Sequence, residues 1–388
     1  MGTPTAFVYG PHLQAYNPSA DTERVARREL GVELLRAYGL LDHPDVTCID
    51  PRPATDAEIE RVHDPAYVAA VRRYSADPAA AAEPEGKVWG FQDGDTVATA
   101  GMHEAAAAVC GAALVGALEI WEGRVLQAFC PAPTGLHHAM ANRATGMCIY
   151  NDAAVAIQAL LDRGAERIAY VDVDAHHGNG CQWIFYEDPR VLTCSVHESG
   201  RYLYPGTGGI GERGADDAEG TSVNVPLPPY AGDASYLAAV RDVIAPAVMR
   251  FRPDVLVTMT GVDPHHTDPM AHLQVSTSAF PRLDGMLRDM AFDAAGGRWL
   301  VTTGGGYNID LLARLWAYLL AEMVEEELPD DIPPEWLAMA RERVGADFTP
   351  VLSGDTEPVI GPDERARADE QAFEVIAAAR DLFGLGRA

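Results

Sequence analysis

Short runs of apolar and β-branched residues recur along the chain, and each is followed by a turn and then by a longer stretch with helical character. These runs span residues 7–9, 46–49, 125–129, 168–173, 191–196, 255–259 and 300–302. Continuous apolar runs are typical of strands that are covered on both faces, and their alternation with helices favours a parallel sheet. The pattern therefore predicts an α/β fold with a central, mostly parallel sheet.

Alanine-rich or 3.6-periodic stretches predict the helices between these strands. They span residues 103–118, 153–161, 236–249 and 309–323. The segment LPDDIPP at 328–334 interrupts the pattern, and two further helices are predicted over 335–344 and 363–383. This tail has too few core residues to fold alone, so we predict a main domain over 1–326 and a helical extension over 327–388 that packs on it.

Composition narrows the class of protein. The chain has 388 residues, is 48% hydrophobic and carries a formal net charge of -28, which disfavours nucleic acid and favours cationic partners such as a lysine-rich segment or a polyamine. The N-terminus lacks a leader pattern and no uninterrupted apolar run is long enough for a spanning helix, so we expect a cytoplasmic protein without a membrane contact. The six scattered cysteines are expected to be reduced and structural. Nothing in the sequence indicates an oligomeric state.

The segment YVDVDAHHGNG at 170–180 carries the densest set of chemically active residues. Asp172, Asp174 and His176 alternate at the end of a predicted strand, so their side chains are expected on one face, where they can meet one ion. Aspartate and histidine also end strands and cap helices. Burial of so many polar groups is costly unless a metal or mutual pairing compensates, which favours a metal site.

A second strand end offers a further ligand, Asp263, after the run at 255–257. Taken alone, Asp263 before Pro264 is typical of a turn. In open parallel sheets, however, ligands bind beyond the carboxyl ends of the strands. Asp174, His176 and Asp263 would then supply three protein ligands and leave a position for water, as catalytic sites do. Such a ligand set suits Zn²⁺ or Fe²⁺.

Two loops add candidates for acid–base and oxyanion chemistry. His137 and His138 lie in a loop rich in glycine and proline, where they could act as base and acid; Asp172 and Asn179 are available to orient their rings. Tyr307 follows a glycine run and could donate to a developing oxyanion. Taken alone, each loop also has a structural explanation. The two histidines could simply lie at the surface, and the tyrosine could pack beside a glycine-rich turn.

Five separated motifs resemble the zinc-dependent histone deacetylase family of the arginase/deacetylase superfamily. They are HHA at 137–139, DVDAHHGNG at 172–180, YPGTGG at 204–209, Asp263 with DPM at 268–270, and GGGYN at 304–308. The resemblance covers about residues 7–316 and implies a single three-layer α/β/α domain. Segments 93–106 and 315–337 also resemble a bacterial branch of this family that is associated with acetoin utilisation.

The resemblance implies a zinc-dependent hydrolase that converts acetyl-lysine to lysine and acetate. It implies that Asp174, His176 and Asp263 bind the metal and that His137, His138 and Tyr307 are catalytic, with Asp172 and Asn179 behind the histidines. It implies substrate contacts by Asp95, Gly146, Met147, Tyr204, Met270 and Gly305. A potassium site, which many members have, would involve Asp172, Asp174, His176, Ser195 and Val196.

The branch resemblance suggests acetylated metabolic enzymes such as acetyl-CoA synthetase as substrates. Asn179 stands where many members have aspartate, Met147 replaces a common phenylalanine and Leu136 a common tryptophan. His265 and His266 have no role in the resemblance. An acetylpolyamine amidohydrolase, a binuclear ureohydrolase and a non-catalytic acyl-lysine binding protein are the alternative functions; the ureohydrolase would need additional bridging carboxylates.

Overall fold

A computed structural model describes residues 2–17, 22–92, 94–131, 136–356, 358 and 360–385. Its strands form one eight-stranded, entirely parallel sheet in the order β2-β1-β3-β8-β7-β4-β5-β6. The strands are β1 Thr5–Val8, β2 Val46–Ile49, β3 Gln127–Cys130, β4 Ile168–Asp172, β5 Val191–Glu198, β6 Ser222–Leu227, β7 Val255–Thr260 and β8 Trp299–Thr303. The α/β prediction is confirmed, and the sheet is parallel throughout.

Helices cover both faces of the sheet. The α-helices are α1 Thr22–Ala37, α2 Asp56–Ile59, α3 Pro65–Ala76, α4 Pro84–Val88, α5 Met102–Trp121, α6 Asp152–Asp162, α7 Asn179–Ile184, α8 Asp233–Ala239, α9 Ala245–Phe251, α10 Ala279–Ala295, α11 Ile309–Val324, α12 Pro334–Val344 and α13 Pro362–Leu382. Each strand serves two cores, because successive side chains point to opposite faces. In β8, Val301 packs in the core with α1, α10 and α11, whereas Leu300 packs in the core with α3, α5 and α6.

Helix α5 is long and apolar enough to span a bilayer by length and composition, but 72% of its apolar window is buried inside the protein. It packs on the sheet closely enough that a Cβ on Gly116 would lie 2.7 Å from the sulfur of Cys130. The core contacts therefore account for the apolar sequence of this helix. The cytoplasmic location stays a prediction.

Two differences from the predicted elements have physical reasons. Strand β6 was not predicted because its sequence, SVNVPL, mixes polar residues with a proline; proline is tolerated in β6 because this strand lies at the edge of the sheet. The helix predicted over 236–249 is divided into α8, a π-helical turn at Val240–Ile244 and α9. Pro246 lacks the N–H that a regular helix needs there, which explains the irregular turn.

The C-terminal extension packs on the main domain through polar and apolar contacts. The indole N–H of Trp336 donates to the Leu30 carbonyl at 3.0 Å, and Arg343 pairs with Glu29 at 2.8 Å. On α13, Asp369 accepts from the backbone N–H of Gly232 at 3.0 Å. The domain boundary at 326 stays a prediction.

Candidate active site

The candidate site lies at the carboxyl ends of four neighbouring strands, β3, β8, β7 and β4. His137 and His138 follow β3, Tyr307 follows β8, Asp263 follows β7, and Asp172 ends β4. Since all the strands are parallel, these ends lie at one edge of the sheet. Residues 132–135 of the predicted histidine loop, and Asp93 of the motif at 93–106, lie outside the described residues.

Three potential metal ligands converge between β4 and β7. The Nδ1 atom of His176 lies 3.1 Å from Oδ1 of Asp174 and 3.0 Å from Oδ2 of Asp263. One ligand atom from each of these residues lies within 4.8 Å of the others, and both carboxylates are fully buried. Burial and the neighbouring Asp174 raise the pKa of Asp263 to about 7, so a cation would relieve repulsion between these groups. The donor set therefore fits a divalent metal ion.

Backbone N–H groups hold the two carboxylates in place. Gly305 donates to Oδ2 of Asp174 at 2.6 Å, and Ala175 donates to Oδ1 of Asp263 at 2.8 Å. Glycine is required at 305, because a Cβ there would lie 2.2 Å from Oδ2 of Asp263. The other oxygen of each carboxylate lies close to Nδ1 of His176.

The expected alternation of Asp172, Asp174 and His176 on one face does not extend through this segment. Strand β4 ends at Asp172, and the two following residues of the set lie in a bend. Asp172 consequently stays outside the metal-ligand group and contacts a catalytic candidate, His137. Period-two spacing holds only while the backbone remains extended, which explains the difference.

The two histidines have different partners. Nδ1 of His137 lies 2.9 Å from Oδ2 of Asp172, and Nδ1 of His138 lies 2.7 Å from Oδ1 of Asn179. Burial opposes charge on His137, but the nearby carboxylates outweigh it and raise the pKa of His137 to about 9. Burial, together with the charges of His137 and His176, holds the pKa of His138 well below its ordinary value. These surroundings therefore favour the cationic form of the His137 ring and the neutral form of the His138 ring.

Asp172 also receives support beyond His137. The hydroxyl of Tyr170 donates to its Oδ2 at 2.6 Å, and the backbone N–H of Asp174 donates to its Oδ1 at 3.1 Å. Ser195, a residue of the predicted potassium site, pairs with Asp172 across the sheet, but its hydroxyl contacts Nδ1 of His197 at 2.8 Å. Val196 is buried in β5. The potassium site stays a prediction.

A cavity of about 350 Å³ leads to this group of residues. It is lined by Gly94, Asp95, Val97, His137, His138, Gly146, Met147, Asp174, His176, Tyr204, Met270, Gly305 and Tyr307. The structure thus brings together every residue that was predicted to contact substrate. Gly94 and Val97 were not predicted to line the cavity. Their position in the sequence close to Asp95 was the signal that could have identified them.

Met147 adopts a left-handed backbone with φ of 63°, which is uncommon for a residue with a side chain. Its N–H donates to the Thr96 hydroxyl at 2.9 Å, and its carbonyl accepts from the Tyr16 hydroxyl at 2.8 Å. Thr96 was not singled out from sequence, and it connects the segment carrying Asp95 to the cavity wall. Only the folded chain reveals this contact, because the two residues are 51 positions apart.

Tyr307 also lines the cavity and is held through its backbone. Its N–H donates to Oδ2 of Asp268 at 2.6 Å, and the Arg27 guanidinium lies 5.1 Å from the centre of its ring. Asp268 also accepts from the N–H of Met270 at 2.9 Å. Asp268 belonged to a recognised motif without an assigned role; here it links two residues that line the cavity.

Comparison with known proteins agrees with this arrangement. A histone deacetylase domain matches residues 21–323. The chain belongs to the histone deacetylase family. This deacetylase is 38% identical over 335 residues to the acetoin utilization protein AcuC of Bacillus subtilis. The aligned region covers 86% of this chain and 85% of the relative. It is 36% identical over 340 residues to AcuC of Staphylococcus xylosus, with 87% of each chain covered.

The family assignment establishes the class of reaction. This protein is a deacetylase of the AcuC type, and the family to which it belongs is metal-dependent. The buried Asp174, His176 and Asp263 form a group that could bind that metal. The non-catalytic alternative is therefore set aside.

Proposed function

We propose that this deacetylase hydrolyses the acetyl amide of acetyl-lysine side chains in proteins, with one Zn²⁺ ion bound by Asp174, His176 and Asp263. The observation that carries the proposal is a cavity whose lining includes Asp95, both histidines and two of the metal-ligand candidates, Asp174 and His176. An acetylated lysine is long and apolar along its chain, with a polar amide at its tip. Apolar walls from Met147, Tyr204 and Met270 suit the chain, and the histidines suit the amide.

The metal would polarise the acetyl carbonyl and increase the acidity of a water molecule. The neutral ring of His138 accepts a proton from the attacking water and later gives it to the leaving lysine nitrogen as the C–N bond breaks. The cationic ring of His137, paired with Asp172, stabilises negative charge that develops on the acetyl oxygen. Tyr307 donates a hydrogen bond to the same oxygen.

The substrate is proposed from charge and from the relatives. Asp95 lines the cavity and can accept hydrogen bonds from the N–H groups of a bound peptide, while the formal charge of -28 favours lysine-rich partners. The relatives are named for acetoin utilisation. These names support acetylated metabolic enzymes of acetate chemistry, such as acetyl-CoA synthetase, as the substrates. We further propose that the protein acts in the cytoplasm and does not bind nucleic acid or membranes.

The decisive experiment compares kcat/KM on acetylated acetyl-CoA synthetase, an acetyl-lysine peptide and acetylspermidine. The proposal predicts faster turnover of the two lysine substrates. Faster turnover of acetylspermidine would favour an acetylpolyamine amidohydrolase. The negative net charge of the chain is also compatible with a polyamine substrate. Elemental analysis of the same preparation decides between zinc and iron, and assays with Na⁺ in place of K⁺ test the proposed potassium site.

A further inference from the structure

The loop at 263–270 contributes to the site at both of its ends. It begins with the metal-ligand candidate Asp263 and ends with Met270, which lines the cavity; between them, Asp268 accepts the backbone N–H of Tyr307. The middle of the loop is His265-His266, whose imidazole rings stack with their centres 4.4 Å apart. Neither histidine lines the cavity, so their function must differ from that of His137 and His138.

A carboxylate from the C-terminal extension contacts this stacked pair. Oδ1 of Asp355 lies 2.6 Å from Nε2 of His266 and 3.5 Å from Nε2 of His265, while its Oδ2 accepts the backbone N–H of Thr277 at 2.8 Å. Both histidine side chains are only 2% exposed, and that of Asp355 is 26% exposed. The contact is therefore shielded from solvent on the histidine side.

The segment that carries Asp355 is itself bonded to helix α11. The Arg314 guanidinium donates to the carbonyls of Leu352 and Gly354 at 2.9 and 2.6 Å. Asp310, on the same helix, accepts from the N–H and hydroxyl of Thr349 at 2.7 and 2.8 Å. Because α11 begins two residues after Tyr307, the extension connects two parts of the active site.

Two histidines beside a carboxylate could instead form a metal-binding site. The hydrogen bonds of His265 argue against that alternative. The backbone N–H of Thr267 donates to Nδ1 of His265 at 3.2 Å, and the Thr267 hydroxyl lies 2.9 Å from the same nitrogen. With Nδ1 as the acceptor, Nε2 carries the proton and donates to the Thr277 hydroxyl at 3.1 Å. Both ring nitrogens of His265 thus have hydrogen-bond partners within the protein, so the group is a hydrogen-bonded connection.

We infer that Asp355 is a positioning residue of this deacetylase, which holds the 263–270 loop through His266 and so fixes Asp263 and Tyr307. The family match ends at residue 323, so this inference assigns an active-site role to a part of the chain beyond it. It rests on the metal site proposed above. It also gives a function to His265 and His266, which the sequence alone did not explain.

The test compares Asp355→Asn with Asp330→Asn, a matched control in the same extension. The Asp330 carboxylate accepts from the backbone N–H and the hydroxyl of Ser353, both at 2.8 Å, and these contacts do not involve the loop. We expect Asp355→Asn to weaken zinc affinity about 10- to 100-fold, as loss of an outer partner of a metal site does. We expect kcat to fall by about 10-fold or more, with a smaller change in KM, since misplacement of about 1 Å can cost about 10² in rate. Asp330→Asn should change neither quantity.

A double variant shows whether Asp355 acts through His266. If it does, Asp355→Asn combined with His266→Gln should lose no more zinc affinity than either single variant, because coupled residues are not additive. Losses that multiply, or an Asp355→Asn protein with unchanged zinc affinity and kcat, would overturn the inference. A second zinc ion per chain that Asp355→Asn removes would also overturn it.

The same measurements distinguish this inference from the proposed function. A wild-type protein that binds no metal contradicts the proposed function. If the wild type and the folded Asp355→Asn variant each bind one zinc ion with equal affinity, only the inference about Asp355 is contradicted. Where Asp355→Asn does not fold, His266→Gln by itself serves as the test, since it leaves the bond between Asp355 and Thr277 in place.

Discussion

Nδ1 of His138 lies 2.7 Å from an amide oxygen of Asn179, a partner that carries no charge. Nδ1 of His137 lies instead 2.9 Å from a carboxylate oxygen of Asp172, and despite burial the nearby carboxylates raise the pKa of His137 to about 9. The charge behind each ring therefore divides the two histidines into a neutral base and a cationic partner.

The variant Asn179→Asp tests this division. A carboxylate behind His138 should raise its pKa by about 1 to 3. The base must be neutral, and a histidine is neutral only above its pKa, so the low-pH limb of kcat/KM should move to higher pH. Asn142→Asp, which adds the same charge at an exposed position, is the control and should leave the profile in place. An unmoved limb in Asn179→Asp would argue against His138 as the base.

Tyr307 is the proposed oxyanion donor, and its backbone is fixed by Asp268. Tyr307→Phe removes the hydroxyl while keeping the ring, so kcat should fall on the order of 10² to 10³. Zinc content and thermal stability should be unchanged. Tyr186→Phe, which alters a tyrosine outside the cavity lining, provides the comparison. Full activity in Tyr307→Phe would remove this residue from the mechanism.

The close approach of Gly305 to the two carboxylates predicts a steric effect on metal binding. In Gly305→Ala, the new Cβ would lie 2.2 Å from Oδ2 of Asp263 and 3.0 Å from Oδ2 of Asp174. The ligands must move, so we expect zinc affinity to fall by about 10-fold or more. Gly285→Ala is the matched control, since its nearest neighbour, Oε1 of Glu322, would be at an ordinary 3.6 Å. Competition with a chelating dye measures both variants, and equal affinities would contradict the prediction.

The sequence predicted the sheet and the edge at which the site lies for a simple reason. Buried parallel strands are continuous apolar runs, and the polar residues after β4, β7 and β8 therefore stand out. The different positions of Asp172 and Asp174 could not be predicted, because they depend on where β4 stops being extended. The contact of Asp355 with His266 could not be predicted either, since it joins residues 89 positions apart through the packing of the extension on α11.

The metal site finally makes a prediction about stability. Asp263 and Asp174 are buried together, and burial together with the charge of Asp174 raises the pKa of Asp263 to about 7, so the ionised form of Asp263 destabilises the protein without a metal. Asp263→Asn removes one charge and keeps an oxygen for the Ala175 N–H, so the metal-free variant should have a Tm equal to or above that of the metal-free wild type. Zinc at about 100 times its Kd should stabilise the wild type by about 2.7 kcal/mol, and the variant by much less. Thermal unfolding with and without chelator measures both effects, and an equal zinc-induced rise in Tm for the two proteins would show that Asp263 is not a ligand.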